Sequence, residues 1–552
     1  MPRARSRRST PSDSIRGWVA GRRATFRRHI PKERHHGAIN PWIVAMTVML
    51  ATFMEVLDTT VVNVSLPHIA GNLSSTVDEA TWALTAYLVS NAIILPMGGW
   101  FSMLMGRKRF YMTCVAIFTV SSFLCGLAPT LGLLVFFRVL QGVGGGALQP
   151  TAQAILVESF PREKLGMAMA VFGIGVVFAP IIGPTLGGWI TDNYSWRWVF
   201  FINIPIGFLS LALTSALVHD PPYLVRKRIR DGLRIDYIGF GLLALGLGAL
   251  EVVLDEGQKE DWFGSNYIQT FAAVAVVCLI AVVFWELRTK EPVIDFHVLK
   301  DRNFTLCTIS MLLLGVVLYG STMLLPVLLQ TLLGYTAMLS GLVLSPGGIV
   351  VVVCMPVVGL LLRKIEARWL VMFGVSVCSG ALFIMAGFNL YIDYNTALWS
   401  RLVQSLGMAF LFVPISTAAF AFLRKERTSY ATGLFNLARN IGGSAGIAMT
   451  TTLLTRRSQF HQQRLVEHLT PLDPAFRQAS AGAAQLLTLH GASVPDAAAG
   501  ANGLLYGSLL RQSGMLAFVD AFWIMGLVFL AVIPLVFFLK KAKAGSGPMM
   551  IE

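Results

Sequence analysis

Long runs of apolar residues, separated by shorter polar connections, occupy most of the chain after residue 40. A helix needs about 20 predominantly apolar residues to cross the hydrocarbon layer of a membrane, and fourteen runs are of that order. The pattern therefore predicts an all-α membrane protein with 14 transmembrane helices. The predicted spans are 43–66, 81–104, 110–129, 131–153, 166–190, 198–218, 235–255, 268–287, 305–330, 339–362, 369–390, 397–423, 431–455 and 515–539.

Lys and Arg are concentrated in alternate connections between these spans. Most of the 44 lie in segments that are cytoplasmic if the N-terminus is inside, with the largest share in the first 40 residues. Because cytoplasmic loops collect Lys and Arg, both termini are predicted to be cytoplasmic. The net charge of +15 follows from this topology. We expect the basic N-terminal tail to lie against anionic lipid and not to bind nucleic acid.

The spans divide into a six-plus-two-plus-six plan, which suits two helical bundles that rock about a central site. For the long connection 456–514 we expect short helices outside the membrane. This connection is either an extended connector or a docking surface for a periplasmic partner. The predicted segments are a basic cytoplasmic tail (1–40), an N-terminal six-helix bundle (41–218), a basic cytoplasmic linker (219–234), two additional helices (235–287), a C-terminal six-helix bundle (305–539) that includes the periplasmic loop 456–514, and a cytoplasmic tail (540–552).

Charged side chains inside a membrane span are costly, at roughly 2.5–3.5 kcal/mol each near the bilayer centre. Asp58 in the first span and Arg138 in the fourth lie at matched depth, roughly 10–12 Å below the outer surface at 1.5 Å per residue. We expect them to meet, either as a proton-coupling pair or as a static ion pair that joins two helices. Glu55 lies one turn from Asp58 and is a second candidate for proton coupling.

Polar residues in the fourth span recur at steps of three and four, from Arg138 through Gln141, Gly145 and Gln149 to Gln153. This spacing puts them on one helix face, which we expect to line a cavity because lipid would not tolerate it. The candidate residues for a substrate cavity are Asn63, Gln141, Gln149, Gln153, Asn436 and Arg439.

Two further arginines lie inside predicted spans. Arg439 in the thirteenth span has either the role in the second half that Arg138 has in the first, or a packing role. Arg401 lies near the outer end of its span, and we expect its charge to extend to the surface.

The fifth span is dense in glycine and proline. Small residues let helices approach closely, and prolines bend a helix, so this set predicts a pivot or a seal against a helix of the other bundle. Packing by small residues alone explains the prolines less well. The candidate residues are Gly175, Pro180, Gly183, Pro184, Gly187 and Gly188.

The turn between the second and third spans carries Gly106, Arg107 and Lys108. This basic reversal is either ordinary charge patterning of a cytoplasmic loop or a latch that holds one closed state. The six cysteines are scattered singly, without a CxxC pair, so we expect neither a disulfide framework nor a zinc site.

Several motifs together resemble those of the 14-helix drug:proton antiporters of the major facilitator superfamily. The signature of the first helix is matched at 57–67 (LDTTVVNVSLP), and RxxQG of the fourth helix at 138–142. The antiporter motif GPxxGG is matched at 183–188, with similar agreement at 196–205 and 439–443. In one departure, Met103 stands at the turn where the superfamily often has an acidic residue.

The resemblance, within the family, is to EmrB-type pumps of double-membraned bacteria. It implies an inner-membrane protein that exports hydrophobic drugs, with Asp58 and Arg138 in the proton relay. It also implies a periplasmic adaptor of the EmrA type, an outer-membrane channel, and no cofactor besides the proton-motive force.

We therefore expect a proton-coupled exporter of small hydrophobic or amphipathic compounds that works by alternating access. The alternative is a dedicated exporter of one endogenous metabolite, siderophore or lipid. A membrane enzyme or receptor is a remote alternative, because the chain shows no nucleophile motif, metal-ligand cluster or soluble catalytic domain.

Overall fold

The computed structural model describes residues 40–221, 236–289, 292–467 and 469–539. Within these ranges the regular structure is helical, and from Pro41 onward the described chain forms one compact unit. The predicted N-terminal tail, most of the basic linker and the C-terminal tail lie outside the described residues.

Among the described residues, the first half of the chain forms nine α-helices where six spans were predicted. Three spans are interrupted: the second at the 3₁₀ turn around Pro96, the fourth at the glycine-rich segment ending at Gly146, and the sixth at Ile202. Proline removes a backbone donor and glycine lowers helix propensity, which accounts for the first two interruptions. The helices are α1 (Pro41–Asn72), α2 (Val77–Ile94), α3 (Gly98–Met105), α4 (Arg107–Leu127), α5 (Leu131–Gly145), α6 (Leu148–Ser159), α7 (Leu165–Asn193), α8 (Trp198–Phe201) and α9 (Asn203–Leu217).

The inserted pair and the second half follow the predicted order. The pair consists of α10 (Tyr237–Glu256) and α11 (Asn266–Glu286). The remaining helices are α12 (Arg302–Thr331), α13 (Ala337–Leu361), α14 (Ala367–Met385), α15 (Tyr394–Phe420), α16 (Thr428–Val466), α17 (Pro474–Leu489), α18 (Val494–Leu530) and α19 (Val532–Phe537).

Thirteen helices among the described residues are long and apolar enough to cross a membrane. The predicted span 431–455 lies within α16, which packs closely on α12. This span is not among the thirteen, because its helix is rich in polar residues. The count of 14 spans stays a prediction.

The connection 456–514 was expected to form separate short helices, but most of it belongs to extensions of the two neighbouring helices. α16 continues without a break to Val466, and α18 begins at Val494, well before the apolar run that it contains. Only α17 is a separate helix, and it packs on α18. The helix ends are set by capping residues such as Ser493, whose side chain accepts from the N–H of Asp496, and not by the change in hydropathy.

The two halves meet along two seams. At the first seam, α7 packs directly on α13, where Gly166 lies against Gly359 and a Cβ on Gly173 would meet Met355. The same α7 packs on α1 through Gly187, which lies against Val61. At the second seam, α10 of the inserted pair packs on both α2 and α16.

Candidate functional site

Asp58 and Arg138 form an ion pair in the interior of the first bundle. Arg138 Nη1 donates to Asp58 Oδ2 at 2.6 Å, and both side chains are fully buried. Arg138 Nε donates to the carbonyl of Ala83 at 2.9 Å, and its guanidinium lies 4.2 Å from the ring centroid of Tyr87. Asp58 and Arg138, which the sequence analysis placed at matched depth, are therefore in contact.

The other oxygen of Asp58 accepts two side-chain amides. Gln141 Nε2 lies 3.0 Å and Asn203 Nδ2 lies 2.7 Å from Oδ1. Asn203 also donates to Ser122 Oγ at 3.0 Å, so α1, α4, α5 and α9 meet at this carboxylate. Asn203 was not predicted as a site residue, although a lone amide inside an apolar segment was a signal that could have found it. A buried charge held by this many donors is the form that burial tolerates.

Glu55 forms a second buried cluster, one turn from Asp58. Its Oε1 accepts from Tyr87 Oη at 3.0 Å and from Asn91 Nδ2 at 3.1 Å. Its Oε2 accepts from Gln149 Nε2 at 2.6 Å. The candidate carboxylates therefore occupy two different sites: Asp58 is enclosed within the first bundle, and Glu55 faces the second half.

Two amides of α6 join the halves across the middle of the molecule. Gln149 Oε1 accepts from Arg439 Nη2, which connects Arg439 to Glu55 through one amide group. One turn away, Asn436 Nδ2 donates to Gln153 Oε1 at 2.6 Å. These bonds account for four of the predicted cavity residues, but Gln153 and Asn436 close the space and do not line it.

A cavity of about 100 Å³ lies beside this layer, between α1, α2, α6, α10, α12 and α16. Its walls combine polar groups of both halves with apolar side chains, as in ligand-binding pockets. The polar and titratable residues that line it are Glu55, Thr59, Tyr87, Asn91, Gln149, Glu251, Tyr319, Asn440 and Ser444. Of the predicted cavity residues, Gln149 lines it, whereas Asn63 is exposed and lies outside this lining.

Glu251 is a cavity residue that the sequence analysis missed. It belongs to α10 of the inserted pair, and its Oε1 accepts from Ser444 Oγ of the second half at 2.6 Å. Its position four residues before the end of the predicted span made it resemble an interfacial residue. A carboxylate within a predicted span was nevertheless a usable signal.

Arg401 does not extend to the surface, so that prediction is wrong. It is 1% exposed and donates from Nη1 to Gln404 Oε1 at 2.7 Å. Gln404 Nε2 in turn donates to Ser321 Oγ at 2.8 Å. The neighbouring helices α12 and α13 enclose this side chain, whereas the sequence pattern indicates only its distance from the end of the span.

The predicted basic turn makes contacts that could act as a latch. Gly106 has φ of 85°, a conformation that favours glycine. Arg107 forms an ion pair with Glu158, and the backbone N–H of Lys108 donates to Asp220 Oδ1 at 2.8 Å. Because Met103 stands where the superfamily often has an acidic residue, the acidic partners of this turn come from other segments.

Helices in two halves with a part-polar cavity between them define a secondary membrane transporter. The family model of the Major Facilitator Superfamily matches residues 48–447. The chain belongs to this superfamily, in the branch of the EmrB-type multidrug export proteins, and is a multi-pass protein of the bacterial inner membrane.

Three relatives illustrate the similarity. The multidrug export protein EmrB of Escherichia coli strain K12 is 35% identical over 92% of this chain and 96% of its own. The fatty acid resistance protein FarB of Neisseria gonorrhoeae is 36% identical over 93% and 98%. EmrB of Haemophilus influenzae is 39% identical over 78% and 84%.

Two solved structures share the fold at low identity. The proton:xylose symporter XylE bound to 6-bromo-6-deoxy-D-glucose has a TM-score of 0.58 at 13% identity, covering 91% of this chain and 97% of its own. The human organic anion transporter MFSD10 has a TM-score of 0.57 at 11% identity, covering 90% and 99%. These likenesses concern the fold alone.

Proposed function

We propose that the protein is a proton-coupled exporter of small hydrophobic or amphipathic compounds that works by alternating access. The observation that carries the proposal is a pair of buried carboxylates one turn apart on α1. Asp58 is held by Arg138 inside the first bundle, and Glu55 lines the cavity between the halves. The relatives are a multidrug export protein and a fatty acid resistance protein, and these names agree with cargo of this chemical class.

In this mechanism protonation changes what each carboxylate can hold. A proton on Asp58 removes the negative charge that faces Arg138, while Arg138 keeps its bond to the carbonyl of Ala83. A proton on Glu55 weakens the attraction that reaches Arg439 through Gln149. The first event loosens the first bundle internally, and the second loosens the contact between the halves.

The energy of one proton is sufficient for export. One elementary charge that crosses about 150 mV supplies roughly 3.5 kcal/mol. At about 1.4 kcal/mol per tenfold, this sustains a gradient of about 300-fold for a neutral compound. A monovalent cation exchanged for one proton gains nothing from the voltage, so the voltage drives export of a cation only if a further proton site takes part.

The decisive experiment compares Asp58→Asn with Asp192→Asn in proteoliposomes. Asp192 is exposed near the end of α7 and provides a matched control. We expect Asp58→Asn to insert normally but to lose both export driven by a pH gradient and proton release on substrate addition, with Asp192→Asn unchanged. Full export by Asp58→Asn would refute the relay. Export restricted to one metabolite, siderophore or lipid in a broad panel would favour the alternative of a dedicated exporter.

The partners and the topology belong to the same proposal. Both termini are cytoplasmic, which places α17 and the extended ends of α16 and α18 in the periplasm. These helices and the connection before α17 present exposed side chains, including Leu472 and Leu489, to an adaptor of the EmrA type that connects to an outer-membrane channel. Crosslinking from a cysteine introduced at Leu489 tests the docking, and labelling of that cysteine from the outside of intact spheroplasts tests the topology.

A further inference from the structure

The inserted helix α10 covers the second seam between the halves and contacts both sides of it. On the side of α2, Thr85 Oγ1 donates to Asp255 and Lys259 Nζ lies 3.1 Å from Thr81 Oγ1. On the side of α16, Ser444 donates to Glu251. These polar contacts attach α10 to each half separately, so a change in the distance between the halves changes the surroundings of α10.

Glu251 is the residue that α10 contributes to the cavity. It is 5% exposed, and its carboxylate receives one hydroxyl donor, from Ser444. Glu55, across the same cavity, receives three side-chain donors. Among the described residues, no Lys, Arg or His lies within ion-pair distance of Glu251. A buried carboxylate with so few donors is costly as an anion, and binding a proton removes that cost.

The surroundings of Glu251 contain more acidic groups than basic ones. Asp255, one turn further along α10, repels a negative charge on Glu251. In α11, the acidic residue Glu286 is the last residue of the helix and lies at the end away from the cavity. Tyr267 lies in the first turn, at the end nearer the cavity. The titratable groups that share the cavity lining with Glu251 are Glu55 of α1, Tyr87 of α2 and Tyr319 of α12. Arg439 of α16 is held by Gln149 and is outside this lining.

We propose that Glu251 is a proton-binding site of the transport cavity, so that the inserted helix pair takes part in coupling and not only in packing. Opening of the seam would separate Glu251 from Ser444 and admit water to the carboxylate, which releases the proton. Closing the seam restores the enclosed site and favours proton uptake. This inference rests on the proposed function for the identity of the cavity, but the proton site itself can be measured without a substrate.

The first test uses infrared spectroscopy on the purified full chain in lipid nanodiscs. The difference spectrum between acidic and alkaline buffer contains a carboxylic-acid C=O band for each buried carboxyl group that titrates. We expect Glu251→Gln to lose one component of this band. Glu256→Gln is the matched control, because Glu256 lies on the same helix, is paired with Lys259 at 3.0 Å and is outside the cavity lining.

Glu256→Gln should retain the component that Glu251→Gln loses, and Glu251→Asp should restore a shifted band. A Glu251→Gln spectrum identical to that of the wild-type protein would overturn the proposal. Absence of any titrating carboxylic-acid band in the wild-type protein would also overturn it. Folding of each variant is checked by a monodisperse elution profile, so a lost band is not confused with a lost protein.

The second test measures the limiting concentration ratio of an exported compound in proteoliposomes. Loss of one coupled proton at an imposed potential of about 100 mV lowers that ratio by about 50-fold. We expect this decrease for Glu251→Gln and an unchanged ratio for Glu256→Gln. An unchanged ratio for Glu251→Gln would exclude coupling through this residue. If the relay through Asp58 fails its own test, the infrared result still decides whether Glu251 binds a proton.

Discussion

Two buried arginines of this protein have the same local setting but different partners. Arg138 and Arg401 are each the eighth residue of their helices, α5 and α15, and each donates to a glutamine three residues later. Gln141 then donates to Asp58, whereas Gln404 donates to Ser321. The second half thus repeats the arrangement of the first with a hydroxyl where the carboxylate stands.

The repeated arrangement predicts the effect of Ser321→Asp. A carboxylate at this position would give Arg401 an acidic partner, which it lacks among the described residues. A charge-assisted hydrogen bond contributes about 1.5–3 kcal/mol, so we expect a higher melting temperature in detergent by differential scanning fluorimetry. Ser321→Asn is the control of equal size. A melting temperature for Ser321→Asp at or below that of Ser321→Asn would show that Arg401 cannot reach the new carboxylate.

At the residue scale, the sequence predicted the ion pair and part of its surroundings. Depth along the helices was enough to pair Asp58 with Arg138. Helical periodicity put Gln141 on the same face as Arg138, but Gln141 was predicted to line a substrate cavity, whereas it bonds to the ion pair and is outside the cavity lining. Asn203 and Glu251 were not assigned to the site, because their polar side chains stand out in the sequence but the contacts of their helices depend on tertiary packing. The burial of Arg401 was missed for the same reason, since distance from a helix end does not tell which face a side chain takes.

At the scale of single helices, α7 carries the contacts that position α1. Its glycines face α1 on one side and α13 of the other half on the other side. Among these glycines, Gly187 approaches the backbone of a neighbouring helix most closely, because a Cβ there would lie 2.9 Å from the carbonyl oxygen of Val61. Its neighbour Gly188 is different, since a Cβ there would lie 3.9 Å from Val64. The position of Asp58 therefore depends on small residues in a neighbouring helix.

This difference predicts opposite outcomes for two adjacent substitutions. Gly187→Ala forces α7 away from α1, and we expect a loss of about 1–3 kcal/mol in stability together with reduced export. Gly188→Ala makes only an ordinary van der Waals contact with Val64, and alanine favours the helix by about 0.5–1 kcal/mol, so this variant should be as stable as the wild type or slightly more. Thermal unfolding and export of both variants provide the measurement. Equal losses in the two variants would mean that helix bending, and not the approach to Val61, requires these glycines.

Element boundaries show where sequence patterns stop being sufficient. The apolar runs located the long helices, but the interruptions near Pro96 and Gly146 depend on backbone preferences inside an apolar stretch. The extensions of α16 and α18 were missed because helix formation continues past the apolar segment until a capping residue ends it. Hydropathy measures the preference for lipid and carries no information on where a helix ends in water.

At the scale of the whole molecule, the first four turns of α16 close one end of the cavity. Tyr430 lies against Gly99, Gly433 against Pro96, Asn436 against Gln153, and Arg439 against Gln149. The residues that follow, from Asn440 to Ile447, line the cavity itself. Under the predicted topology this closed end is the cytoplasmic one. The halves must separate here for cargo to enter from the cytoplasm.

A reversible crosslink at the closed end tests this requirement. A Cβ on Gly99 would lie 3.1 Å from both the backbone nitrogen and Cγ of Tyr430, so the two positions are in direct contact across the closed end. We expect the double variant Gly99→Cys/Tyr430→Cys to stop export when oxidised and to recover when a reductant is added, because the bond holds the halves together at the level farthest from the cavity. Each single variant under the same oxidation controls for the native cysteines and for the loss of Tyr430. Since the bond would leave the opposite end free, binding of an exported compound from the periplasmic side should survive oxidation. Continued export by fully crosslinked protein would mean that cargo enters by another route, and the seam covered by α10 would then be the first place to look.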